Sequence, residues 1–463
     1  MARTAALNPL MFRAYDIRGK VDEDLTPEVV EVLGRAYGTY IAKVSGRRIA
    51  VGRDNRVSSE PFQAAFIAGA RAAGCDVTDV GLVTSPMLYF AVAAWGLDGG
   101  VNVSGSHNPV QYNGLKMTMR GAAPIAEEKI QDIRRIAEAG DFARGAGALA
   151  QRGVVEEYVE HICSHHRLER TLKVVIDAGN GVAGPYAPLV LRRLGCDLTE
   201  LYTESDGTFP NHLPDPEVEE TLRDLKREVV ARKADIGIAY DGDGDRVGVL
   251  DEKAERHEAD EMLMLLARDF LRRHPGERVM MDVKSSQLLV DDIEAHGGRP
   301  VMARTGHSLI KAQMRAEGIL LAGEVSGHMF FSENWFGFDD AILASVRILE
   351  VLAKETTPLS ARWAGLPKVY STPELKAPCP DADKFRIVGD LTAYFKQHYP
   401  VLDIDGARVT FPQGWALVRA SNTNPYLTLR FEARTQAALD EMMEIMYGKL
   451  REHPQVTLPE GAV

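Results

Sequence analysis

The sequence predicts an α/β protein of three similar α/β domains followed by a smaller α+β C-terminal domain. Three observations lead there. Strand-like apolar runs alternate with helical patterns over about four fifths of the chain. Several of those runs end in a polar or glycine-rich turn, the place where open α/β sheets bind ligands. After about Ser371 the alternation stops, and hairpin-like patterning takes over.

Taken in order, the strand candidates are Arg48–Val51, Gly100–Val103, Lys173–Ile176, Ala234–Tyr240, Val247–Leu250 and Val279–Asp282. Helical stretches such as Pro27–Lys43, Pro61–Gly74 and Glu261–Arg273 lie between them. In the tail, Asp405-Gly406 joins Val401–Ile404 to Ala407–Phe411 as a hairpin. A strand at Tyr426–Ala433 and a helix at Thr435–Arg451 follow. A chain of 463 residues accommodates three or four domains at roughly 100–200 residues each. The pattern breaks give domains 1–152, 153–254, 255–368 and 369–463.

Composition narrows the function classes. A net charge of −12 with no long basic run argues against nucleic-acid partners, while leaving small anionic substrates open. No window approaches the ~18 uninterrupted apolar residues of a membrane span, and the N-terminus lacks a secretory apolar stretch. Cys75, Cys163, Cys196 and Cys379 are scattered without a CxxC pair, which suits a reducing compartment. The expectation is a soluble cytoplasmic protein.

Five clusters could carry chemistry. In Asp241-Gly-Asp-Gly-Asp245-Arg246, glycines let three carboxylates converge after an apolar strand, an arrangement that calls for a hard cation such as Mg²⁺. A calcium loop is rejected because Arg246 stands where its sixth-position glycine belongs and the flanks read as strands. Ser104-Gly-Ser-His-Asn-Pro109 presents a serine in a turn after a strand. Asn108 excludes the hydrolase elbow, and such residues ordinarily make local hydrogen bonds. Gly179-Asn-Gly-Val-Ala-Gly184 matches a dinucleotide fingerprint, with Glu200 and Glu204 near the ribose-acid distance. Pro185, fitting a first helical position, favours a plain strand-to-helix turn instead. Arg419-Ala-Ser-Asn-Thr423 gathers donors suited to phosphate. Gly323-Glu-Val-Ser-Gly-His328, preceded by Arg304-Thr-Gly-His-Ser308, offers groups for sugar hydroxyls and proton exchange.

Together, from Phe12-Arg-Ala-Tyr-Asp-Ile-Arg-Gly19 to Leu429-Arg-Phe-Glu-Ala433, these blocks resemble the α-D-phosphohexomutase superfamily, in particular its bacterial phosphomannomutase/phosphoglucomutase family. The resemblance implies three α/β domains with mixed sheets and the smaller last domain set around a central cleft. It implies an isomerase that interconverts the 1- and 6-phosphates of mannose and glucose through a phosphoserine and a 1,6-bisphosphate. By it, Ser106 is the nucleophile, and Asp241, Asp243 and Asp245 hold Mg²⁺ with a phosphoserine oxygen. Glu324, Val325, Ser326, Gly327 and His328 form the sugar loop of the third domain, and Arg419, Ala420, Ser421, Asn422 and Thr423 the phosphate loop of the last. Tyr15, Arg18, Lys116, Arg246, Lys284 and His307 line the cleft. Lys116 and His328 are the proton-transfer candidates, and Arg18 and Arg246 stabilise transferring charge. Glucose 1,6-bisphosphate is the expected activator, hexose phosphates are the expected partners, and the chain is expected to be a monomer. Ser104 replaces the family's frequent Thr or Ala and is expected not to touch the nucleophile. A hinge is expected near Pro367–Pro373. The alternatives are a phosphoglucosamine mutase, disfavoured by Ser421-Asn-Thr423 and Val325, and a metal-dependent phosphatase using the same serine.

Overall fold

The computed structural model describes residues 7–422 and 424–459, and these form four sheets. In the first, Ile17–Lys20, Tyr112–Met119, Gly99–Val103, Arg48–Arg53, Asp76–Leu82 and Leu149–Gln151 lie side by side, with Ala123–Pro124 against Tyr112–Met119. The second runs Arg256–His257, Val247–Leu250, Ile236–Tyr240, Lys173–Asp177, Asp197–Leu201. The third runs Arg299–Ala303, Arg278–Asp282, Leu321–Gly323, Met329–Phe331, Phe338–Asp339.

One order recurs in all three. Arg48–Arg53, Lys173–Asp177 and Arg278–Asp282 each lie between two parallel neighbours. The last parallel strand then turns back into an antiparallel one: Gly99–Val103 into Tyr112–Met119, Ile236–Tyr240 into Val247–Leu250, and Leu321–Gly323 into Met329–Phe331. The similarity of the three units is therefore a shared strand order. The sheets are mixed because of this last reversal.

Helices begin where local chemistry directs. Thr26 caps Pro27–Val44 by accepting from the Val29 N–H, and Pro27 occupies the first turn, where no N–H is needed. Ala259–Arg273 starts two residues earlier than its apolar pattern, at a capping box of Glu258 and Glu261. Pro185 lies in the turn before Ala187–Arg193, not at the helix's first position. In the tail the first hairpin strand shortens to Val401–Leu402, with Gly406 at φ +82° in the turn. The strand Gly414–Ala420 and the helix Lys384–Lys396 were not legible in the pattern.

One apolar core passes through the first three units. Phe90, Tyr158, Trp335 and Phe338 meet within it, and the Tyr158 hydroxyl donates to Asp340 Oδ2 at 2.8 Å. The last unit keeps its own core around Phe395, Phe431 and Tyr447. Its joint to the third unit is small and mostly polar. Val283, Trp415 and Leu417 make the apolar part. Buried Arg408 stacks on Trp415 and donates to the carbonyls of Val283 (2.7 Å) and Ser285 (2.9 Å). Arg430 donates to the Lys284 carbonyl at 2.9 Å, and Glu432 accepts from the Gln287 N–H at 2.9 Å. Among the described residues, no helix is long and apolar enough to cross a membrane.

Candidate active site

In each of the first three units, the reversal from parallel to antiparallel strand carries the candidate residues. Ser104–Asn108 sits in that turn in the first unit, Asp241–Arg246 in the second and Glu324–His328 in the third. Ser421 and Asn422 lie in the corresponding antiparallel turn of the last. Thr423 lies outside the described residues.

Ser106 is buried and has a left-handed backbone, φ +52°. Its Oγ donates to Asp241 Oδ2 at 3.1 Å and lies 3.1 Å from His107 Nδ1. The turn is held by Arg56, which sequence reasoning missed. This buried guanidinium donates to the carbonyls of Ser106 (2.7 Å), Asn108 (2.5 Å), Pro109 (2.9 Å) and Tyr112 (3.2 Å). Asp54, beside it, accepts from the Gly105 N–H at 3.0 Å. Arg56 stands alone in the sequence, although it follows the carboxyl end of Arg48–Arg53, where a binding group is to be looked for. The expectation for Ser104 is corrected: its hydroxyl accepts from the Ser106 N–H at 2.9 Å and donates to Asp243 Oδ2 at 3.1 Å. A side chain two positions before a residue in a tight turn reaches that residue's backbone, which is the ordinary local bond of serine.

Oxygens of Asp241, Asp243 and Asp245 lie within 4.8 Å of one another, all buried. Asp241 Oδ1 accepts from the N–H groups of Asp245 (3.0 Å) and Arg246 (3.1 Å). Lys116 reaches Asp243 Oδ2 at 2.7 Å and Asp245 Oδ2 at 2.5 Å, while Asp243 Oδ1 receives no hydrogen bond among the described residues. Burial and the neighbouring carboxylates push Asp241 well above the usual carboxylate range. Against the same burial, Lys116 and His328 hold Asp245 well below it. An orphaned buried oxygen in an all-oxygen set beside Ser106 Oγ fits a hard divalent cation.

His328 lies 3.4 Å from Asp245 Oδ1 and 3.2 Å from Glu324 Oε2, and its Nδ1 is 2.9 Å from Ser326 Oγ. Burial lowers its pKa, but Asp245 and Glu324 outweigh that and lift it to about 9. His307 stacks on it with ring centroids 5.3 Å apart and is pushed the opposite way, by burial and by Lys311. Glu324 Oε1 accepts from the Gly306 N–H at 2.6 Å, and Val325 directs its N–H at Asp282 Oδ1, 3.4 Å away. Gly327, φ +92°, lets its carbonyl accept from the Val247 N–H at 3.1 Å, which joins the 324–328 loop to the strand after the 241–246 loop.

The remaining cations already have carboxylate partners. Arg18 pairs with Asp16 at 2.7 Å, Arg246 with Glu217 at 3.1 Å, Lys284 with Glu374 at 2.9 Å and Arg419 with Asp405 at 2.9 Å. Asp405 also accepts from the Thr305 N–H at 2.9 Å, tying the last unit's loop to the third unit. Arg419, within the strand Gly414–Ala420, and Asn422, just after it, lie within electrostatic or hydrogen-bonding reach of Tyr15, and burial raises the Tyr15 phenol. A cavity of about 450 Å³, lined by Phe12, Arg13, Glu127, Asp381, Phe385 and Asn422, opens between the first and last units.

The glycine fingerprint at 179–184 has a structural explanation. The Val182 N–H donates to the Gly242 carbonyl at 3.0 Å, and a side chain at Gly181 would meet Gly242 at 3.1–3.2 Å. These glycines let one backbone lie under the metal loop. Glu200 pairs with Arg192 and bonds Thr203.

Family models described as phosphoglucomutase/phosphomannomutase match most of the chain, in order. The three alpha/beta/alpha domains match residues 9–144, 156–255 and 258–370, and the C-terminal domain matches residues 374–449. The chain is 43% identical to a phosphomannomutase/phosphoglucomutase of Pseudomonas aeruginosa over 97% of each chain. It is 42% identical to a phosphoglucomutase of Neisseria gonorrhoeae, covering 98% of this chain and 100% of the other. Its fold superposes with a TM-score of 0.92 on the crystal structure of a phosphoglucomutase/phosphomannomutase family protein from Burkholderia thailandensis, at 42% identity and covering 98% and 100% of the two chains.

Proposed function

This chain belongs to the phosphoglucomutase/phosphomannomutase family, and from that premise we propose that it interconverts the 1- and 6-phosphates of mannose and glucose through phosphorylated Ser106 and a 1,6-bisphosphate. The observation carrying this reading is the placement of nucleophile and phosphate loop on different units. Ser106 is buried beside Asp241, while Arg419 and Asn422 of the last unit lie near Tyr15 of the first. A hydrolase needs no second phosphate holder.

Asp241, Asp243, Asp245 and the Ser106 oxygen would hold Mg²⁺, which when bound offsets negative charge on the transferring phosphoryl group. The sugar's free hydroxyl attacks phosphorus, the bond from Ser106 Oγ breaks, and the hydroxyl proton passes to a base. The sugar then turns, presents its other phosphate to Ser106, and the same exchange runs backwards. Lys116 and His328 flank the carboxylates and are the proton-transfer candidates; with its pKa lifted to about 9, His328 starts protonated and acts first as a donor. Arg18 and Arg246 are the charge-stabilising groups. Glu324 and Ser326 hold sugar hydroxyls, with Lys284 and His307 along the cleft wall. Arg419, Ser421, Asn422 and Thr423 hold the non-reacting phosphate. Glucose 1,6-bisphosphate restores the phosphoserine when the intermediate escapes. The same reading makes the protein a cytoplasmic monomer, checked by cell fractionation and sedimentation.

³¹P NMR tests the proposal. Mannose 1-phosphate and glucose 1-phosphate, with Mg²⁺ and a trace of glucose 1,6-bisphosphate, are expected to become 6-phosphates. Ser106→Ala is expected to lower that rate by roughly a thousandfold or more. Inorganic phosphate as the main product, or preferential turnover of glucosamine 1-phosphate, would overturn it.

A further inference from the structure

The metal loop belongs to the second unit, but its middle carboxylate is oriented by the first. Asp243 Oδ2 accepts from Ser85 Oγ at 2.5 Å and from Ser104 Oγ at 3.1 Å, besides its pairing with Lys116. The Ser85 N–H also donates to the Asp243 carbonyl at 2.9 Å. Each hydroxyl is itself fixed from behind. Asn102 Nδ2 donates to Ser85 Oγ at 3.0 Å, and the Ser106 N–H donates to Ser104 Oγ at 2.9 Å. A hydroxyl that accepts from an N–H has its proton left to give forward. Both protons therefore point at the same oxygen of Asp243. Ser85, Asn102, Ser104 and Asp243 are all buried, so no solvent substitutes for a missing partner.

The other oxygen, Asp243 Oδ1, receives no hydrogen bond among the described residues and lies in the cluster with Asp241 and Asp245. We propose that Ser85 and Ser104, backed by Asn102, are positioning residues that commit one oxygen of Asp243 to the fold and reserve the other for the divalent cation. They also link that ligand to the nucleophile, since Ser104 bonds Asp243 and the Ser106 backbone together. Without the two hydroxyls, Asp243 is free to rotate and give both oxygens to Lys116. Partners that orient a metal ligand typically change metal affinity by 10–100-fold when removed. The inference rests on the reading that the three aspartates hold a cation.

The test is Mn²⁺ and Mg²⁺ binding to the full-length protein by calorimetry, with thermal melting alongside. Wild type is expected to bind one ion and Asp243→Asn to lose it. Ser85→Ala and Ser104→Ala are expected to bind roughly 10–100-fold more weakly with nearly unchanged melting. Ser104→Thr, which keeps the hydroxyl, is expected to restore binding. Should Ser85→Ala not fold, Ser104→Ala carries the test alone, because it lies in a turn and not at a helix start. Wild-type affinity in the alanine variants, with Asp243→Asn still defective, would overturn the positioning role and leave the metal site standing. Wild-type protein that binds no ion would overturn both.

Discussion

The first three units and the last are attached to their surroundings in opposite ways. Phe90, Tyr158, Trp335 and Phe338 come from three units and pack in one continuous core, while the strands flanking Ser106 pack in a second core of the first unit. The last unit has a separate core and meets the third through three apolar side chains, with Arg408 and Arg430 donating to backbone carbonyls. Apolar packing loses many contacts at once when it slides, whereas a few hydrogen bonds to carbonyls at one edge leave rotation about that edge open. The groups proposed to make and break bonds are thus held where motion is most costly, and the proposed phosphate loop where it is least so.

Phe90→Ala breaks this comparison most directly. It should lower stability by about 3–5 kcal/mol, and urea unfolding followed by hydrogen exchange should show all three units losing protection together while the last unit keeps its own. Loss confined to the first unit would show that the core is not shared. Arg419→Ala acts on the other side of the comparison. Removing a charged donor from phosphate is worth about 1.5–3 kcal/mol, so steady-state kinetics should show KM for hexose phosphate raised by roughly tenfold or more, with melting lowered as well because largely buried Asp405 loses its charge partner. A smaller effect concerns the hinge expected near Pro367–Pro373. On adding glucose 1,6-bisphosphate, exchange protection should rise around Arg13 and Asp381, which approach at 3.6 Å across the cleft mouth, and stay level at 283–287. Protection changing at both places equally would mean that the last unit does not turn about the Arg408 edge.

The smallest effect sharpens the comparison within the three-unit block. His257 lies 3.2 Å from Asp251 and 3.0 Å from Glu261, joining the end of the second sheet to the first helix of the third unit. Burial lowers its pKa, but the two carboxylates raise it above the ordinary histidine value. Its stabilising contribution is therefore complete below about pH 6.5 and is lost as pH rises through the higher folded value. The melting-temperature gap between wild type and His257→Asn should narrow from pH 6 to alkaline pH. A gap that widens would reverse the sign.

Many strands were legible, and three of the loops, at 104–109, 179–184 and 241–246, stood out because each is a compact run of special residues directly after a recognised apolar strand. Asp241-Gly-Asp-Gly-Asp245 announces itself by spacing, whereas Ser104-Gly-Ser106, alone, reads as an ordinary turn and stands out only beside the other blocks. Arg56, Ser85 and Asn102 did not, since each is a single ordinary residue whose meaning comes from a partner far away in the chain: Arg56 from the carbonyls near Ser106, Ser85 from Asp243. The strand Gly414–Ala420 escaped for a related reason. It is buried along nearly its whole length, so it shows no alternation of apolar and polar residues.

Ser104 and Ser106 carry the same hydroxyl, yet only one of them could be exchanged for threonine. At Ser104 the extra methyl meets no backbone of inverted hand. At Ser106, φ +52° places a β-branched residue in a conformation it almost never adopts. The proposed reactive position therefore accepts one natural alcohol and excludes the other by the handedness of its main chain, before any question of nucleophilic strength arises.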